Sequence, residues 1–184
     1  IPVPGKDLAG VVTYRDLDDV HAMMIAAKAK GRAVVIGGGL LGLEAAAGLN
    51  EQGMDVTVIH VQPTLMERQL DPAAGYLLGE SMKARGVKVL TSANTKQILG
   101  DTRVTGVELN DGTVIPADLV VMAVGIRPNV ALAKDAELPV NRGIVVDAQM
   151  RTADPSIYAL GECVEVNGAT FGLVAPLYDM ANVL

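Results

Sequence analysis

The sequence predicts an α/β fold: a doubly wound parallel sheet covered by helices and interrupted by an antiparallel β-meander. Three observations carry this. Half of the 184 residues are hydrophobic but only 3% are aromatic, with no Trp and one Phe. Val, Ile, Leu, Ala and Met must therefore fill the core, a mix suited to buried parallel strands under Ala-rich helices. Short apolar runs alternate with segments of helical periodicity in the order β-α-β-α-β, and short links in that order imply right-handed parallel crossovers. After the third apolar run come period-two segments joined by turn residues, the mark of hairpins.

Taken along the chain, IPVPG (Ile1 to Gly5) reads as extended, because each Pro biases its predecessor away from helix. Residues 1–15 are expected to be a connector. Asp16 caps a helix with Asp19 at its third position, and Leu17, Val20, Met23, Met24 and Ala27 recur at helical spacing as a core stripe before Gly31 ends it. Ala33 to Ile36 is an apolar run stopped by three glycines. A helix follows from about Leu40 to Gln52, with Gly53 as its C-terminal stop. Asp55 to Val61 is a second strand. Asp71-Pro72 is an N-cap followed by Pro at the first helical position, opening a helix that runs to Gly86. Val87 to Leu90 is the third strand.

Thr95 to Leu99, Val104 to Leu109 and Val114-Ile115 form the expected meander, with Asn110-Asp111-Gly112 as a tight turn. Leu119 to Val124 lacks polar alternation, as a central strand buried on both faces would. From Gly143 onward, Ile144 to Val146 and Ile157 to Leu160 read as strands of a different unit. The expected division is therefore 1–15, 16–142 and 143–184.

The net charge is −6 and the pI about 4.8. An acidic surface without a Lys/Arg cluster excludes a nucleic-acid footprint. The single cysteine, Cys163, excludes an internal disulfide or a Cys-rich zinc site and fits a reducing cytoplasm. It is expected to be a structural thiol. The longest apolar stretch, Val34 to Leu49, carries Glu44 and several glycines, so no membrane role is expected. The chain begins at Ile1 and ends at Leu184 without a closing element, and is expected to be an excised fragment.

Gly37-Gly38-Gly39-Leu40-Leu41-Gly42 fits GxGxxG between a strand and a helix, with a second strand ending near position 60. That context predicts a Rossmann-like dinucleotide site. Gly37 permits the tight strand-to-helix turn, Gly39 lets a pyrophosphate approach, and Gly42 lets helix and strand pack closely. Free N–H groups and the macrodipole at the helix start favour the anion by roughly 0.3–1 kcal/mol. The ribose-reading position, about 20 residues on, holds His60. A neutral imidazole can hydrogen-bond a ribose hydroxyl, and a protonated one tolerates a 2′-phosphate. Gly42 in place of Ala, with Arg68 the only nearby arginine, favours NADH, with NADPH possible.

With these pieces placed, most of the chain resembles the FAD-dependent pyridine nucleotide-disulfide oxidoreductases, the group containing ferredoxin and rubredoxin reductases and nitrite reductase large subunits. VVIGGGLLGLEAA is similar to their NAD-domain opening and implies that Glu44 lies near the nicotinamide. ADLVVMAVGIRPN (Ala117 to Asn129) resembles the exit strand, implying NAD contacts at Val124, Gly125 and Arg127. TADPSIYALGE (Thr152 to Glu162) resembles the second flavin motif and implies that Gly161 and Glu162 contact FAD, with Glu where many members have Asp. HVQPTLMERQLDPAAG (His60 to Gly75) resembles the NAD(P)H-dependent nitrite reductase branch.

On this resemblance, residues 1–15 come from an absent FAD domain, 16–142 bind NAD(P)H, and 143–184 are part of an FAD-binding domain. The parent protein is expected to pass hydride from NADH to FAD, then electrons through iron–sulfur and siroheme centres in absent regions, reducing nitrite to ammonia. No residue here need be a catalytic acid or base; Glu44 is the one candidate at the hydride step. No metal ligand set is expected in this chain. The isolated chain is expected to be inactive and to self-associate through exposed apolar strands. A ferredoxin or rubredoxin reductase is the alternative enzyme, and a stand-alone NADH-sensing module the alternative of another class.

Overall fold

The computed structural model describes residues 2–184 and divides into two compact units, one ending at Gly125 and the other running from Ile126 to Leu184. The first contains β1 (Val11–Val12), α1 (Leu17–Ala27), β2 (Arg32–Ile36), α2 (Leu40–Glu51), β3 (Asp55–Ile59), α3 (Pro72–Ala84), β4 (Lys88–Leu90), β5 (Thr95–Gly100), β6 (Val104–Leu109), β7 (Val114–Pro116) and β8 (Leu119–Met122). Five strands form a parallel sheet in the order β1-β8-β2-β3-β4. The crossovers through α1, α2 and α3 all step the same way along this sheet. The right-handed rule then places all three helices on one face.

Strand alternation divides the core accordingly. Ala33, Val35, Val56, Val58 and Val121 pack with Met23 and Ala27 of α1, Leu43, Ala46 and Leu49 of α2, and Met82 of α3. On the other face Val34, Ile36, Ile59 and Val120 pack with Ile98, Val107 and Leu109 of the antiparallel β5-β6-β7 meander. Both faces of the sheet are dry, which is why its strands read as continuous apolar runs. Asp118 at the start of β8 accepts from the backbone N–H and the guanidinium of Arg32 at the start of β2. Those bonds to Arg32 hold the Asp118 carboxyl below its ordinary range.

The caps expected at Asp16 and Asp71 form, each side chain accepting from the backbone N–H three residues on. The α1 stripe is narrower than expected: Met23 and Ala27 are buried, but Leu17 is 73% exposed and Met24 also lies at the surface. Residues 2–15 are not merely extended. Residues 4–7 turn, the Pro4 carbonyl accepts from the Ile98 N–H, Val3 joins the meander-side core, and Val11–Val12 adds an edge strand against β8.

The second unit contains α4 (Ala131–Asp135), β9 (Ile144–Val146), β10 (Val164–Val166), β11 (Ala169–Thr170) and α5 (Val174–Val183). Its three strands order as β11-β10-β9 over Val146, Met150, Val164 and Met180. The strand expected over Ile157 to Leu160 is absent. Only Tyr158 bridges to Arg151 there, because Thr152 and Asp154 draw the backbone into a local turn that holds Ser156 and Ile157. Among the described residues no helix is long and apolar enough to cross a membrane.

Candidate functional site: the glycine turn between β2 and α2

Beyond β2 the sheet continues to β3 and β4 on one side and to β8 on the other, so the chain leaves β2 where the strand order switches. Such switch points open a crevice beyond the carboxyl ends of the strands. Gly37, Gly38 and Gly39 make the turn there, and Gly39 is the N-cap of α2 with no side chain to offer its first N–H groups.

The glycines carry different loads. Gly37 sits at φ +120, a conformation that other residues rarely adopt, and a Cβ there would run into the Ala123 carbonyl. A Cβ on Gly42 would strike the Gly37 carbonyl, so its absence lets α2 close onto the turn. A Cβ on Gly38 would lie 2.6 Å from Leu65 and 2.7 Å from the His60 ring. Gly39 differs: its φ is −85, and a Cβ would meet nothing within 4 Å. The one glycine that neither the backbone angle nor the packing requires faces open space at an uncapped helix start. A cradle of this kind fits a dinucleotide pyrophosphate, which needs close backbone approach and unpaired N–H donors.

His60 does not present its ring to that space. It is 7% exposed, its Nδ1 accepts from the Gly38 N–H at 3.0 Å, and its Nε2 meets Glu67 Oε2 at 3.0 Å. Because Nδ1 accepts, the ring proton sits on Nε2 and is donated to Glu67. Both nitrogens are committed within the protein, which corrects the expectation that the imidazole itself meets a ribose. Glu67 went unnoticed in the sequence, since it lies in an aperiodic turn where an acidic residue is unremarkable.

Of the remaining expected residues, Leu40 and Leu41 contribute backbone at the first turn of α2, and Glu44 lies exposed on its second. Arg68 is exposed next to Glu67. Val124 packs against the meander-side core, and Gly125, at φ +94, has nothing within 4 Å of its Cβ position. The compact units divide after Gly125, so Arg127 lies, exposed, in the second. Also in that unit, Gly161 is at φ +103 with an open Cβ position, and Glu162 is half-buried with its Oε1 directed toward Gly172. A carboxylate beside an unobstructed glycine fits the hydroxyls of a flavin polyol chain. Cys163, half-buried, donates to the Leu160 carbonyl.

The chain matches the pyridine nucleotide-disulphide oxidoreductases over residues 1–177. It belongs to that family. It is 55% identical over all 184 residues to nitrite reductase [NAD(P)H] of Bacillus subtilis, covering 23% of that protein. It is 46% identical over 184 residues to the assimilatory nitrate reductase electron transfer subunit of the same organism, covering 24% of it. Among solved structures, the ferredoxin reductase for the CYP199A2 system from Rhodopseudomonas palustris superposes with a TM-score of 0.92 at 35% identity. That match covers 98% of this chain and 46% of the other. The chain thus spans less than a quarter of the length of these two curated relatives. The resemblance read from the glycine turn and the two downstream motifs is therefore to the right family of oxidoreductases.

Proposed function

We propose that this chain is the pyridine-nucleotide-binding portion of a flavoprotein oxidoreductase in which hydride passes from NADH to FAD. The observation that carries the reading is the opening at Gly39, an uncapped helix start that the protein's own packing leaves clear. The backbone of Gly37 to Gly42 holds the pyrophosphate, and the segment through Val124 and Gly125 borders the nicotinamide end. Glu44 shapes that end rather than moving a proton, while Arg68 adds positive charge along the nucleotide. The first unit is the NADH-binding domain, and the second contributes Gly161 and Glu162 to the flavin. When bound, the nicotinamide and the flavin supply the redox chemistry; this chain supplies binding and orientation.

The 55% identity to a nitrite reductase favours nitrite as the terminal acceptor of the parent protein. Its iron–sulfur and siroheme centres would lie on other parts of that protein, in the cytoplasm. A ferredoxin reductase is the second reading, favoured by the TM-score of 0.92. In the intact parent, NADH should bleach the flavin absorbance. A Gly39→Val variant that still holds its flavin should be bleached by dithionite but not by NADH. Bleaching of the variant by NADH at the wild-type rate would defeat the proposal. Nitrite-dependent NADH oxidation by the same parent separates the two acceptors.

A further inference from the structure

We propose that the adenosine ribose is read by the Glu67 carboxylate, with the buried His60 as its positioning residue. This rests on the NADH-binding reading above and says which side chain selects the nucleotide. In a dinucleotide fold the ribose 2′-hydroxyl is met by an acceptor from the end of the second strand, about 20 residues after the first glycine. Here that position is His60, whose nitrogens are both taken, one by the Gly38 N–H and one by Glu67. An imidazole so committed has nothing left to accept from a hydroxyl.

The carboxylate that it holds does. Glu67 gives Oε2 to His60, its side chain is 36% exposed, and Oε1 has no partner among the described residues. It is also built into the dinucleotide turn. The Gly38 N–H donates to His60, and the Gly38 carbonyl accepts from the Met66 N–H at 3.0 Å. Gly38 thus grips the segment before Glu67 through its backbone and Glu67 itself through the imidazole. Leu65, 1% exposed, is wedged against Gly38 from the same segment.

Met66 adopts φ +52, a left-handed angle that a long unbranched side chain seldom takes. Strain of this kind persists only where surrounding contacts hold it, and it gathers at ligand clamps. Two more N–H groups, of Gln69 and Leu70, close on the Met66 carbonyl. The result is a carboxylate fixed two hydrogen bonds from the glycine turn, with one oxygen left to accept. The acceptor usually supplied by the strand end is displaced by 7 residues and reconnected through the imidazole. A carboxylate accepts from a 2′-hydroxyl and repels a 2′-phosphate, so the arrangement selects NADH over NADPH.

The test is calorimetric binding of NADH and NADPH to wild type, Glu67→Gln, His60→Asn, the double variant and Gly39→Val. Wild type should prefer NADH. Glu67→Gln should raise the NADPH-to-NADH affinity ratio by roughly tenfold or more, as loss of a charge-assisted bond and of a repulsion predicts. His60→Asn should shift the ratio the same way by less, and should add nothing in the Glu67→Gln background. A merely structural histidine would weaken both nucleotides alike and leave the ratio unmoved. Should His60→Asn fail to fold, Glu67→Gln decides alone, since that side chain lies at the surface. A ratio unchanged by Glu67→Gln, with binding intact in wild type and lost in Gly39→Val, overturns the role of Glu67 while the NADH-binding reading stands. Wild type that binds neither nucleotide overturns both.

Discussion

At Gly42 a methyl group would strike the Gly37 carbonyl oxygen, whereas at Gly39 it would meet nothing within 4 Å. The two substitutions should therefore separate stability from binding. Gly42→Ala must push α2 off the turn and should cost about 1–3 kcal/mol or more in urea denaturation. Gly39→Ala alters only an N-cap and should cost less than about 1 kcal/mol. Equal midpoints for the two variants would show that the turn is not packed as described. These glycine roles were legible in the sequence because they depend on backbone geometry, and only glycine removes the Cβ. The His60–Glu67 relay was not legible. It depends on the left-handed Met66, and methionine does not announce that angle as glycine or asparagine would.

Elements whose own residues specify them emerged where the sequence places them. The α3 helix opens on Asp71-Pro72, and the β6-β7 hairpin turns at Asn110-Asp111-Gly112 with Asp111 accepting from the Thr113 N–H. That bond holds the Asp111 carboxyl below its ordinary range. The second unit was harder to read because a charged residue lies at its centre. Glu165 of β10 is 6% exposed, yet it accepts from Asn141 and from the backbone N–H groups of Arg142 and Gly143. A carboxylate inside Val-Glu-Val breaks the apolar pattern, so the strand was missed. The bond from Asn141, then those backbone donors and the Arg142 charge, lower its pKa. A lowered folded value means that this stabilisation is complete above the ordinary glutamate pKa of about 4.3 and fades as pH falls through the folded value. Hydrogen-exchange protection of the Ile144 and Val164 amides, corrected for the intrinsic pH dependence of exchange, should fall on acidification across that window. Glu165→Gln should exchange faster at neutral pH and lose that acid dependence. An unchanged wild-type profile in the variant would place the acid-sensitive group elsewhere.

Across the whole molecule, the described residues include the glycine-rich turn Gly37 to Gly42 and the segment Thr152 to Glu162, which resembles a flavin motif. On the proposed reading, Gly161 and Glu162 would give a flavin a charge-assisted hydrogen bond or two, roughly 1.5–3 kcal/mol each. Even a millimolar ligand requires about 4 kcal/mol net of the entropic cost of association. We expect the purified chain to be colourless and to take up one NADH; stoichiometric FAD in the purified chain would contradict this. The placement of the pyrophosphate where Gly39 leaves the start of α2 clear is open to calorimetry of NADH binding to wild type and Gly39→Val. It predicts binding to wild type and none to the variant, with unchanged far-ultraviolet circular dichroism, whereas equal affinity for both would contradict it.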